Sequence, residues 1–163
     1  MKNRKILLLS ATAMLALTGC NGTKKVEFSE FKDAVKEAVT SGDYMKDPSQ
    51  LKITGSIKSD GEEYSVKNLK LNSEMKPKDA MNLTIEETGF LVMYGILATS
   101  LQVTSFSGTE SETLDYYVGN GFKVKGEMEG EKFLGTWDKY CNLTKIKAES
   151  KEVTCNFTVS YKY

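Results

Sequence analysis

Val153-Thr154-Cys155-Asn156-Phe157-Thr158-Val159-Ser160-Tyr161-Lys162 alternates apolar and polar side chains without a break. A period of two is what a strand needs when one face meets a core and the other meets water. The residues before it repeat the theme. A turn near Ser150-Lys151 leads back to a strand over Leu143 to Ala148, and Asp138 to Asn142 reads as a loop. Phe133, Gly135 and Trp137 form the preceding inward face, reached through a turn at Glu129-Gly130. Phe122, Val124 and Met128 face one way, and Lys123, Lys125 and Glu127 the other. Gly119-Asn120-Gly121 separates that strand from Leu114 to Val118. The last third is therefore predicted to be a β-meander of about five strands.

Upstream, Leu51, Ile53 and Ile57 alternate with polar residues up to a tight turn at Asp60-Gly61. On the return strand Tyr64 and Val66 share one face, whereas Leu69 and Leu71 fall on the other. A period-two strand cannot do this without a slip, so a bulge is predicted near Lys67-Asn68. Helical spacing of Phe28, Phe31, Val35, Ala38 and Val39, with Gly42 behind them, predicts a helix over 27–41. Pro77 interrupts the next stretch. Thr84-Ile85-Glu86-Glu87 then fits a capping box, and Phe90 to Leu101 is apolar nearly all round. The spacing predicts a buried helix over 85–102, with Gly95 at a close approach to the sheet. Consecutive antiparallel strands with segregated helices define an α+β fold. Its expected form is a bent antiparallel sheet of about six to seven strands, with an N-terminal and a central helix packed on it.

Composition narrows the function. The 163 residues carry 22 basic and 22 acidic side chains and no histidine, and Arg4 is the sole arginine. A domain without arginine or excess positive charge lacks the field and the planar fork for nucleic acid. Without histidine there is no Ser-His or Cys-His nucleophile pair and no histidine metal site. Carboxylates could still act in pairs. Of the candidates, Glu86 and Glu87 read as first-turn helix residues, Glu110 and Glu112 as solvated loop residues, and Asp115 and Asp138 stand apart. No metal, no cofactor and no enzymatic activity are expected.

Cys141 and Cys155 form an even pair, which invites a disulfide in an oxidising compartment. A turn at Ser150-Lys151, however, sets Ile146 opposite Cys155. Cys141 then lies ~17 Å along the neighbouring strand, beyond the ~7 Å that a disulfide allows. Two free thiols are expected unless that hairpin pairs differently.

The N-terminus supplies the location. Met1-Lys2-Asn3-Arg4-Lys5 is basic, and Ile6 to Leu17 is an apolar run too short to span a ~30 Å hydrocarbon core. Leu17-Thr18-Gly19-Cys20 follows and resembles the lipobox of bacterial lipoprotein precursors. The resemblance implies a signal peptide over 1–19 and lipidation at Cys20, with diacylglycerol and palmitate as the anchor. A short membrane tether over 20–25 and a single α+β domain over 26–163 would follow. The location implied is the extracytoplasmic face of the cell membrane, with membrane lipid as a partner through Cys20. The stretches Tyr116-Tyr117 to Val124, Trp137 to Tyr140 and Leu143 to Ile146 are similar to the C-terminal hairpins of small surface lipoproteins. There the place of Cys141 is more often glycine, which suggests a left-handed or tight turn. The architecture is also similar, more weakly, to half-barrel lipid-carrier lipoproteins.

Two functions are compatible with these readings. One is a structural or protein-interaction module held at the cell surface. The other is the binding of an apolar ligand or lipid in a cavity under the curved sheet. Tyr116, Phe122, Phe133, Trp137 and Phe157 are the candidate pocket residues.

Overall fold

The computed structural model describes residues 22–72 and 82–163. Cys20, the leader and Pro77 lie outside them. Among the described residues, eight strands form one antiparallel sheet, and three helices cover it. The elements are β1 (Thr23–Val26), α1 (Phe28–Thr40), β2 (Gln50–Ser59), β3 (Glu62–Asn72), α2 (Ile85–Ser100) and α3 (Val103–Phe106). The meander follows as β4 (Leu114–Gly119), β5 (Gly121–Met128), β6 (Glu131–Trp137), β7 (Leu143–Glu149) and β8 (Val153–Lys162). The spatial order is β1-β4-β5-β6-β7-β8-β2-β3. The meander thus forms the centre, with the β2–β3 hairpin added beyond β8 and β1 beyond β4.

The α+β class stands, with a strand more than the sequence indicated. The extra strand is β1. Residues 23–25 were expected in the tether, but Thr23, Lys24 and Lys25 already pair with Gly119, Val118 and Tyr117. Too short to show a period, β1 is held by backbone hydrogen bonds to a neighbour distant in sequence. Its two lysines divide between the faces. Lys24 turns to the helix side and pairs with Glu30 at 2.9 Å, while Lys25 turns outward to Asp115 at 2.7 Å.

The predicted bulge is present. Ile53 pairs with Leu69 and Gly55 with Val66, so Lys67 and Asn68 together oppose Thr54. Asn68 takes a left-handed φ of 54°, and its amide donates to Thr54 Oγ1 at 3.0 Å. The extra residue returns Leu69 and Leu71 to the face of Val66, and all three are buried.

The meander register differs by two residues at its last hairpin. Cys155 faces Ala148, and Ile146 faces Phe157. The turn is wider than a two-residue one. Ser150 is its anchor, with its amide and hydroxyl both donating to the Val153 carbonyl. Cys141 and Cys155 are both free.

The helices share one face of the sheet. In α1, Phe31 and Val35 point down onto it. The Phe31 ring meets Tyr116 at 5.0 Å and Phe122 at 6.1 Å between centroids. The capping box at the start of α2 forms as expected: Thr84 Oγ1 accepts from the Glu87 amide, and the Glu87 carboxylate accepts from the Thr84 amide. The rest of α2 corrects the sequence reading. It is not buried all round. Phe90 and Tyr94 are buried, but Ile85, Val92 and Ile96 are 89%, 60% and 56% exposed. Gly95 has open space beside it, whereas Gly89 is the point of close approach. A Cβ on Gly89 would stand 2.4 Å from the Tyr64 ring. From there Phe90 and Tyr94 meet Phe157 of β8 edge to face, and the Leu101 carbonyl accepts from the Trp137 indole of β6. Thus α2 crosses the strands from the β3 edge toward the middle of the sheet.

Candidate functional site

The five aromatic residues singled out as pocket candidates are all buried, at 1–7% exposure. They belong to different packing groups. Tyr116 and Phe122 pack under Phe31. Phe133 and Trp137 sandwich Phe106 of α3, at 5.1 and 5.4 Å between centroids. Phe157 packs beneath Phe90 and Tyr94. Gly135 explains part of this density, because a Cβ there would meet the Trp137 and Phe133 rings. Helix side chains from α1, α2 and α3 occupy the space beneath these five residues.

An open apolar groove does exist at the far end of α2. It measures about 460 Å³. Leu97 of α2 and its C-cap Leu101 form one wall, with Met128, Phe133, Val153 and Cys155 opposite, and glutamates and lysines of the β5–β6 and β7–β8 turns at its rim. Of the five predicted residues, only Phe133 borders it. Its other walls depend on the wide Ser150 turn, which strand periodicity does not report.

The second surface feature is the outward side of α2. Ile85, Val92 and Ile96 recur at i, i+7 and i+11 and form a single stripe opposite Phe90 and Tyr94. Thr88, Gly95, Thr99 and Ser100 flank it, and all four are exposed. A solvated helix normally carries charge there. The signal lay in the sequence as an uncharged run, and reading it required knowing which side meets the sheet.

The third is a polar knot where the β6–β7 loop meets the end of β8. Asp138 Oδ1 accepts from the amides of Tyr140 and Asn142, at 2.9 and 3.0 Å. Its Oδ2 accepts from the Tyr163 hydroxyl. Asn142, nearly buried, donates through Nδ2 to the Lys46 carbonyl and to Tyr163 Oη. Tyr161 donates to the Leu143 carbonyl at 2.6 Å, and burial pushes its hydroxyl far above the usual tyrosine range. In this turn Cys141 has a φ of 68°, the left-handed conformation anticipated for it. Its thiol is buried, at 3% exposure, and burial followed by the Asp138 charge pushes its pKa up to about 11. Burial also raises the Cys155 thiol. A protonated buried thiol is an inert packing group, not a nucleophile.

The carboxylates are otherwise occupied. Glu87 caps α2, Asp115 pairs with Lys25, and Asp138 holds the turn. Glu86, Glu110 and Glu112 are exposed. Among the described residues, no group of three or more Cys, Asp or Glu is placed to hold a metal ion. No described helix is long and apolar enough to cross a membrane. Compared with known proteins, the chain matches no family model, no curated protein and no solved structure.

Proposed function

We propose that this chain is a lipoprotein anchored through Cys20 at the extracytoplasmic face of the cell membrane, and that its domain acts there as a protein-interaction module. The anchor rests on Leu17-Thr18-Gly19-Cys20 behind a basic and then apolar leader. The interaction role rests on one observation. The core is filled, while α2 turns the uncharged stripe Ile85, Val92 and Ile96 to solvent. Apolar surface aligned on one helix side, away from the core it could have joined, favours contact with another protein. A photo-crosslinking side chain at Val92 in cells should give a discrete protein adduct that Ile96→Glu abolishes. The same probe at Lys36 on α1 should give none. No adduct at Val92, or equal adducts at both sites, would sink the interaction role.

The groove under Leu97 and Leu101 favours a second reading, the binding of an apolar ligand. Its volume falls in the ~300–1,000 Å³ range of small-molecule sites, and its walls are largely apolar. Native mass spectrometry of the purified protein separates the two readings. Co-purified lipid that Leu97→Glu displaces would replace the interaction module with a carrier.

A further inference from the structure

The outer sheet face carries a feature that neither reading uses. On β5, Lys123 and Lys125 point outward, and on β7 Lys145 and Lys147 do the same, with Thr136 of β6 between Lys123 and Lys145. Among the described residues none of these four lysines has a carboxylate partner; the ion pairs there involve Lys24, Lys25 and Lys46. Lys123 rests instead over the Tyr117 ring, 4.0 Å from its centroid. A bulge opposite Thr136 brings Thr144 beside Lys145, and the two threonine hydroxyls lie 2.9 Å apart. Lys123, Thr136, Thr144 and Lys145 border a concavity of about 400 Å³, closed at one side by Thr23 and Asn120. Thr23 Oγ1 is buried there and has no hydrogen-bond partner among the described residues. The one carboxylate at the rim, Asp138, is committed to the Tyr140 and Asn142 amides and the Tyr163 hydroxyl.

Two ammonium groups, a cluster of hydroxyls and an unsatisfied buried hydroxyl suit a phosphate group. Chain geometry says which one. Thr23 opens the sheet only three residues after Cys20, so at most ~11 Å of chain separates the two. The opposite end of the sheet is acidic, with Glu127, Glu129, Glu131, Glu149 and Glu152 around the β5–β6 and β7–β8 turns. A negatively charged bilayer repels that end and attracts the lysine-bearing one.

We propose that Thr23, Lys123, Thr136, Thr144 and Lys145 form a site for the phosphate of an anionic membrane-lipid headgroup, which orients the domain on the bilayer. The proposal rests on the Cys20 anchor for its geometry. With this end toward the membrane, the stripe on α2 lies on the opposite layer of the domain, across the sheet from the site.

The test uses the full chain carrying Cys20→Ala, so that no lipid anchor contributes, and co-sedimentation with phosphatidylglycerol-containing vesicles. Lys123→Gln with Lys145→Gln should weaken binding about tenfold, since each lysine near an anionic surface contributes a several-fold factor. Lys58→Gln with Lys132→Gln removes the same charge near the acidic end and should change binding less than about twofold. Thr23→Val leaves the charge untouched and should still weaken binding. Equal losses from the two lysine pairs, or no loss from Thr23→Val, would reduce the effect to diffuse attraction and overturn the site. So would a difference between the pairs that persists on pure phosphatidylcholine. The leader is common to every arm and cancels. Failure here leaves the anchor standing, because the anchor is tested separately by processing of the unaltered precursor.

Discussion

Cys141 combines a left-handed backbone with a buried thiol, and the two properties act in different ways. The backbone is held by the Asp138 carboxylate accepting from the amides on either side of Cys141. The thiol is raised from 9.0 to about 11, so the fold favours its protonated form. The unfolded chain loses that proton at lower pH than the folded one. The stabilising contribution is therefore complete below about 9 and is lost as pH rises from 9.0 to about 11. Urea unfolding on either side of this window should show the loss, and Cys141→Ala should reduce it, with the raised Cys155 and Tyr161 groups supplying the remainder. Cys141→Ser and Cys155→Ser should each lower stability by about 1–3 kcal/mol, by placing a hydroxyl among apolar groups. Reductant should change neither result, since both thiols are free. The turn at Cys141 was legible from its loop position. Its burial was not, because nothing local announces that Tyr161, Tyr163 and the chain at Met45 close over the loop. Gly89 and Gly95 make the same point. Both sit in the helix predicted over 85–102, but only Gly89 touches the sheet. Gly89→Ala should cost about 1–3 kcal/mol by pressing on Tyr64. Gly95→Ala should stabilise by up to about 1 kcal/mol through helix propensity. Thermal melts of the two variants should move in opposite directions.

At the level of elements, α2 shows what local chemistry determines and what packing determines. Its start is written into Thr84 and Glu87, and Thr84→Ala should cost about 1 kcal/mol in chemical denaturation. Its orientation is not written there, because an apolar run without charge has no polar side to read. The stripe Phe90, Tyr94, Leu97 and Leu101 meets the core only because Gly89 allows the helix down onto Tyr64. Phe90→Ala should therefore cost about 3–5 kcal/mol, whereas Val92→Gln and Ile96→Gln should stay within about 0.5 kcal/mol of the parent. Comparable losses from all three would mean that the exposed stripe is covered in solution by another copy. The strands divide in the same manner. The strands from β4 to β8 were legible in number, and β5, β6 and β8, with their alternating patterns, also in inward face. The β7–β8 register slipped by two residues because Ser150 builds a wider turn than its sequence suggests. The β3 bulge was legible since a broken period has few other causes.

At the level of the whole molecule, the α+β class followed from the order of helices and strands, but the strand order did not. Nothing local places β2–β3 beyond β8 or attaches β1 to β4, since both depend on pairings between segments distant in the chain. The candidate cavity was illegible for a related reason. The aromatic residues were identified as inward-facing, and they are, but whether helices fill the space between them depends on three elements arriving together. The anchor carries a separate prediction. Cys20→Ala should leave an unprocessed precursor or a released protein, read by fractionation and by mass of the N-terminus. Complete recovery of a processed form with membranes would sink the anchor.

The bulge at Lys67-Asn68 has a consequence beyond the register of its own hairpin. Among the described residues β3 is the last strand of the sheet, so one side of it has no described strand beside it. A long, regular strand in that position is a template on which another chain can pair, copy after copy. The extra residue bends the strand and breaks its row of donors and acceptors midway, and Lys67 and Lys70 add charge along it. Removing Asn68 would straighten the border while keeping Leu69 and Leu71 on the face of Val66, because Lys67 alone would then oppose Thr54 in an unbroken ladder. The product should assemble into strand-rich aggregates that thioflavin fluorescence and light scattering report, under conditions in which the parent stays dispersed. A single left-handed residue thus guards the margin of the sheet against polymerisation.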